Sequence, residues 1–138
     1  MLSRLRRLFS RPAPVEFRDP ELGILVLDCG VWIGSVPLER RRLRFVVAGT
    51  ETEPYPGLLI RARALRAGFS GVERVAMEFL RSREKEVSES RLEVYAFECL
   101  WEERPEDFAL EFLADGDDAR IWRVEFVAGR PSQTGFDD

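Results

Sequence analysis

The stretch LRFVVAGTETEPYPGLLIRARALRAGFSGVERVAMEFLRSR, residues 43–83, changes its hydrophobic period part-way along. Residues 43–48 alternate in the manner of a β-strand, with Leu43, Phe45 and Val47 on one face. Residues 49–57 contain two prolines and several polar side chains, which end the strand. From Leu58 onward the apolar residues recur at helical spacing. The stretch therefore predicts a strand, a loop and a helical region.

The helical region is predicted to contain two helices. Gly68, Ser70 and Gly71 separate them, and Ser70 with Glu73 has the spacing of a capping box. Each helix has an apolar face, formed by Leu58, Ala62, Leu65 and Phe69 in the first and by Val72, Val75, Ala76, Phe79 and Leu80 in the second.

On both sides of the helical region the pattern is that of strands. Asp28 with Gly30 and Asp115 with Gly116 are hairpin signals. The predicted strands are Leu22–Cys29, Val31–Leu38 and Leu43–Ala48 before the helices, and Leu92–Trp101, Phe108–Ala114 and Ala119–Val127 after them. We predict an α+β fold in the order βββ-αα-βββ, with two helices packed on antiparallel sheet or sheets. Residues 15–138 form a single domain in this prediction, preceded by a basic segment and lead-in, residues 1–14.

Residues 1–11 place Leu2, Leu5, Leu8 and Phe9 at near-helical spacing with arginines between them. Such a helix is attracted to anionic lipid, so weak membrane-surface contact is one hypothesis. A frayed or locally docked terminus is the alternative, which the short length favours. The segment lacks the apolar run of a signal peptide, and we expect a cytoplasmic protein.

The charge distribution bears on the class of partner. The net charge is −4, and residues 1–11 contain four arginines and no acid. Removing those four from the 21 basic residues leaves 17 against 25 acidic residues, a net charge of −8. An acidic body repels phosphate backbones, so we expect no nucleic-acid partner. Lys85 is the single lysine, and this preference for arginine is typical of a GC-rich bacterial genome.

The chain has no histidine, which is the usual general base and the commonest metal ligand. Histidine-dependent hydrolase and metal sites are thereby excluded. Cys29 and Cys99 lie in separate apolar runs outside any C-x-x-C pair, and we interpret both as buried thiols rather than a disulfide. We predict no catalytic, cofactor-binding or metal-binding residues, and no cofactor.

Acidic side chains leave one enzymatic alternative open. A carboxylate-dependent hydrolase needs two acids at a defined separation in a cleft. Glu98 and Glu111 lie within apolar strand patterns and are candidates, although the alternation also suits side chains that face solvent on the outer side of a sheet. Residues 115–118 include three aspartates but lack the distal glutamate of a calcium loop, so we interpret them as a hairpin turn. The alternative function is a carboxylate-dependent hydrolase or a small-ligand-binding protein.

The leading hypothesis is a protein-binding module. Arg40, Arg41, Arg42 and Arg44 form a local cluster of positive charge on an acidic chain. Asp137 and Asp138 end the chain as a small acidic tail. These six residues are the predicted contacts for a protein partner.

Four short motifs, at residues 19–23, 32–34, 122–126 and 135–138, carry a resemblance to known sequences. They read DPELG, WIG, WRVEF and GFDD. Together they resemble uncharacterised small bacterial domain families of unknown function. The resemblance covers the two ends of the chain and supplies no established activity. Some similar small acidic proteins are suspected of being immunity or partner-binding proteins, which implies an immunity-like binding role.

Overall fold

The computed structural model describes residues 13–137, in which eight strands form one sheet and two long helices pack against it. The strands are β1 Glu16–Asp19, β2 Gly23–Asp28, β3 Val31–Leu38, β4 Arg41–Ala48, β5 Leu92–Cys99, β6 Phe108–Ala114, β7 Asp117–Val127 and β8 Arg130–Asp137. Helix α1 spans Pro56–Ala67 and helix α2 spans Phe69–Arg83, followed by a 3-10 turn at Lys85–Val87.

The strands follow one another across the sheet in chain order, from β1 at one edge to β8 at the other. All neighbours are antiparallel except β4 and β5, which are parallel because the two helices carry the chain back to the same end of the sheet. The predicted order βββ-αα-βββ with purely antiparallel pairing is therefore wrong. Four strands precede the helices and four follow them, and the sheet is mixed.

The two helices meet almost without a linker. Pro56 occupies the first turn of α1, where its missing N–H costs no hydrogen bond. Gly68 alone separates the helices, and its N–H donates to the Ala64 carbonyl oxygen. The predicted capping box is wrong: α2 begins at Phe69, so Ser70 lies inside the helix, and Glu73 instead forms an ion pair with Arg41. Neither helix, nor any other within residues 13–137, has the length and apolar character needed to cross a membrane.

The hydrophobic core lies between the helices and one face of the sheet. Helix α1 contacts β4 and β5, and α2 contacts β7 and β8. Phe45 and Phe97 are paired across the parallel β4–β5 junction, and their rings stack at 5.4 Å. A Cβ atom at Gly34 would lie 2.6 Å from the Phe45 ring, so only glycine leaves room for that ring over β3.

Two buried tryptophans stand in different polar surroundings. The indole N–H of Trp32 donates to the Thr50 carbonyl oxygen at 2.9 Å. Trp122 is equally buried, but its indole N–H has no hydrogen-bond partner among the described residues. The two rings therefore fill similar core positions at different polar cost.

The two cysteines differ from the prediction. Cys99 is buried, and burial raises the pKa of its thiol to about 12. Cys29 is exposed, so its interpretation as a buried thiol is wrong. Cys29 and Gly30 form the two-residue turn between β2 and β3, where both have positive φ, and such a turn points side chains into solvent.

Candidate functional site

The face of the sheet opposite the helices, which we call the open face, has neither long helix packed on it in residues 13–137. Side chains alternate between the two faces of each strand. On β4, Leu43, Phe45 and Val47 point into the core, so Arg44 and Val46 lie on the open face. Strand register then places two neighbouring rows of side chains there. One row is Ser35, Arg44, Ala96, Glu111, Arg123 and Gly135, and the other is Val26, Ile33, Val46, Glu98, Ala109, Glu125 and Gln133.

The β2–β4 half of the open face is apolar with two arginines beside it. Ile24 is 46% exposed, and Val26 and Ile33 are partly exposed along a shallow depression that extends to Arg44. Continuous apolar sequence in β2, ILVL at residues 24–27, was the available signal, because such a run places apolar side chains on both faces.

The arginines of this half have polar contacts but no acid. Arg42 Nε donates to Ser35 Oγ, and Arg42 Nη2 donates to the Ser35 carbonyl oxygen, both at 2.9 Å. Arg44 Nη1 donates to Tyr95 Oη at 3.4 Å. Within residues 13–137, neither guanidinium lies within ion-pair distance of a carboxylate. Both arginines are exposed, so their charge is available to another molecule.

The β5–β8 half of the open face is acidic. Glu98 and Arg123 form an ion pair with side chains only 14% and 21% exposed, and Arg123 Nε also lies 3.4 Å from Glu125 Oε1. These long side chains surround Ala96 and Ala109, which are buried on the same face. The small alanines leave room for their neighbours to lie along the sheet rather than point away from it.

Glu111 and Glu98 lie side by side in this acidic half. Burial raises the pKa of Glu111 to about 7, and the charge of Glu98 and a hydrogen bond with it act in the same direction, while Arg123 opposes them. Asp137 adds a further negative charge in the same region. A carboxyl group that holds its proton near neutral pH beside a second carboxyl group is an arrangement found in acid–base sites.

The fold places the predicted partner contacts in different parts of the molecule. Arg42 and Arg44 lie on the open face, whereas Arg40 is an exposed turn residue. Arg41 is bound to Glu73 of α2 and to Glu93, each at 3.2 Å, and so holds the sheet to the helix.

Asp137 lies at the end of edge strand β8, with β5, β6 and β7 between it and the arginines of β4. The arginine cluster and the acidic end are therefore about 19 Å apart across the sheet. Asp138 and the amphipathic segment, residues 1–11, lie outside the described residues.

Concave sites lie away from the carboxyl pair. One depression is lined by Arg91, Glu93 and the β6–β7 turn at Asp115, and others lie beside Pro105 and beside Trp101. None of these has Glu98 or Glu111 in its wall. Among residues 13–137, no group of three or more cysteine or acidic side chains is arranged to hold a metal ion.

No protein-family model, curated protein or solved structure shows significant similarity to this chain. The resemblance of its two ends to small bacterial families stays a prediction.

Proposed function

We propose that the chain is a cytoplasmic protein-binding module that docks its partner on the open face. The observation that carries this proposal is the combination of exposed apolar side chains with two arginines that have no carboxylate partner in the described residues. Exposed apolar groups beside polar ones are typical of protein contact surfaces. Arginine is also among the residues that contribute most to such contacts.

The charge of the chain indicates which partner surface fits. The body is acidic, so Arg42 and Arg44 are a local exception on it. A partner that places carboxylates over these arginines and covers Ile24 and Ile33 gains two kinds of contact at once. Charge complementarity of this kind increases the association rate and excludes wrong partners.

The test uses variants of the open face with matched variants of the helices. The tagged chain is used to capture its partner from the source cell, and binding of the purified partner is then measured for each variant. We expect Ile24→Asp and Arg44→Glu each to weaken binding at least about tenfold, as loss of a central contact does. Ile60→Asp and Arg74→Glu, on exposed positions of α1 and α2, serve as controls and should bind normally.

Circular dichroism of all four variants checks that they fold. Normal binding by both open-face variants, or equal losses in the helix variants, contradicts the proposal.

The adjacent carboxyl groups of Glu98 and Glu111 favour a second candidate function, a carboxylate-dependent hydrolase or small-ligand-binding protein. The raised pKa of Glu111 keeps part of this carboxyl group protonated near neutral pH, so it can donate a proton. The pair lies on an open surface rather than in a cleft that excludes water, which argues for the binding module first. A panel of hydrolase substrates tests this candidate. Turnover that disappears in Glu111→Gln but persists in the control Glu93→Gln would favour the hydrolase over the binding module.

A further inference from the structure

The charges of the open face are segregated by strand. Arg42 and Arg44 lie on β4, next to the apolar side chains of β2 and β3. The acidic side chains lie on β5, β6, β7 and β8, where Arg123 is already partnered by Glu98 and Glu125. Asp28, at the exposed end of β2, also lines the depression that extends to Arg44. Apart from Asp28, the face is thus positive and apolar over β2–β4 and negative over β5–β8.

Such a layout is complementary to itself. When two sheets stack face to face, a twofold axis between them can run along the strands at the β4–β5 junction. This rotation places β4 of one copy over β5 of the other, β3 over β6, and β2 over β7. Arg44 then lies over Ala96 of the second copy, within reach of Glu111 in the same row. The symmetry forms this contact twice.

We propose that the open face binds the open face of a second copy of this chain, with Arg44 of each copy against Glu111 of the other. This inference rests on the proposed function and names the partner. Charge complementarity is the reason to choose a second copy: Arg44 needs an acid within reach on the facing surface, and the same surface supplies Glu111 in the same row.

The size of the face sets the expected affinity. Six strands, β2–β7, span about 24 Å, and strands of six residues are about 20 Å long. Two such footprints bury on the order of 1,000 Å², which is the lower end for a specific interface. We therefore expect a dimer with a dissociation constant in the micromolar range that weakens as salt is added.

Analytical ultracentrifugation of the full chain from about 1 to 200 µM tests this inference. It is carried out near pH 8, above the pKa of Glu111, so that the carboxylate is charged. The wild-type chain should dimerise, and Arg44→Glu or Glu111→Lys should each weaken dimerisation at least about tenfold, because each creates two like-charge contacts. Arg74→Glu on α2 is the matched control and should dimerise like the wild type.

Mixing the two defective variants gives the decisive result. In a mixed dimer, the glutamate at position 44 meets the lysine at position 111, and the unchanged Glu111 meets the unchanged Arg44. An equimolar mixture should therefore dimerise although neither variant does alone. A mixture that stays monomeric, or a wild-type chain that is monomeric throughout, overturns the inference. If the wild type is monomeric while Ile24→Asp and Arg44→Glu still lose a captured protein, self-association fails and the proposed docking function stands.

Discussion

Asp19, at the end of β1, is a buried carboxylate that ties the β1–β2 turn to helix α1. Its Oδ2 accepts hydrogen bonds from the backbone N–H groups of Glu21 at 2.9 Å and Leu22 at 2.8 Å. Its Oδ1 accepts from Arg63 Nε at 3.0 Å and from Arg63 Nη2. The side chain of Asp19 is inaccessible to solvent, whereas that of Arg63 is 32% exposed.

Replacing Asp19 with asparagine keeps the size of the side chain but removes its charge. Breaking a buried ion pair by removing one partner costs about 3–5 kcal/mol. Because Arg63 is partly solvated, we expect the lower end, about 3 kcal/mol. For a domain of this size that loss lowers Tm by about 10 °C.

The loss should depend on pH in a defined direction. Burial raises the pKa of Asp19, but hydrogen bonds from Arg63, Leu22 and Glu21 outweigh burial, so the pKa lies below its usual value. A carboxyl with a lowered pKa in the folded state contributes stability above its unfolded pKa, near 3.9, and that contribution is lost as pH falls through the folded pKa. The difference between wild type and Asp19→Asn should therefore shrink below about pH 4.

Urea unfolding near pH 7 and near pH 3 measures both effects. Glu21→Gln, an exposed neighbour, is the control and should change stability by less than about 0.5 kcal/mol. A double-mutant cycle with Arg63→Gln isolates the pair itself. A loss under about 1 kcal/mol near pH 7, or an equal loss at both pH values, would refute the ion-pair argument.

Three further predictions concern the open face and the core. Because the pKa of Glu111 is raised, the folded state holds its proton more tightly than the unfolded state, and stability falls as pH rises from about 4.5 to about 7. Glu111→Gln should remove roughly 1–2 kcal/mol of that fall after allowance for solvent screening, as measured by urea unfolding against pH. Trp32→Phe should cost about 1 kcal/mol more than Trp122→Phe, because only Trp32 loses a hydrogen bond, and equal costs would contradict this. Gly34→Ala should lower Tm by several degrees, because the added Cβ would clash with the Phe45 ring. Gly71 lies in α2, and a Cβ added there has no atom within 4 Å, so Gly71→Ala should leave Tm unchanged or raise it.

Local sequence signals predicted the helical region and strands β2–β7, because those segments carry strong hydrophobic periodicity. Strands β1 and β8 were missed, since EFRD and RPSQTGFD are short or polar and lie at sheet edges, where pairing on one side replaces burial. The parallel β4–β5 pairing was also missed. Periodicity describes each strand by itself and says nothing about the direction in which distant strands pair.

For the candidate site too, local sequence predicted the individual residues but not their arrangement. The sequence identified Arg42, Arg44, Glu98 and Glu111 as separate features. Their arrangement on one face follows from register between strands that are far apart in the chain, which local patterns do not determine. Arg41 was grouped with its neighbours by sequence, but strand alternation directs it to the helix side, where Glu73 neutralises it.

The parallel β4–β5 junction has a consequence for the order in which the chain folds. Every other pair of neighbouring strands is joined by a short connection, whereas Arg44 and Ala96 come together across about fifty intervening positions. Closing the connection between β4 and β5 is the step with the largest entropic cost. The helices form locally within this connection and shorten its effective length. Substitutions at the Phe45–Phe97 stack should therefore slow refolding, whereas substitutions in β1 and β8 should mainly speed unfolding, a contrast visible on the two arms of a chevron plot.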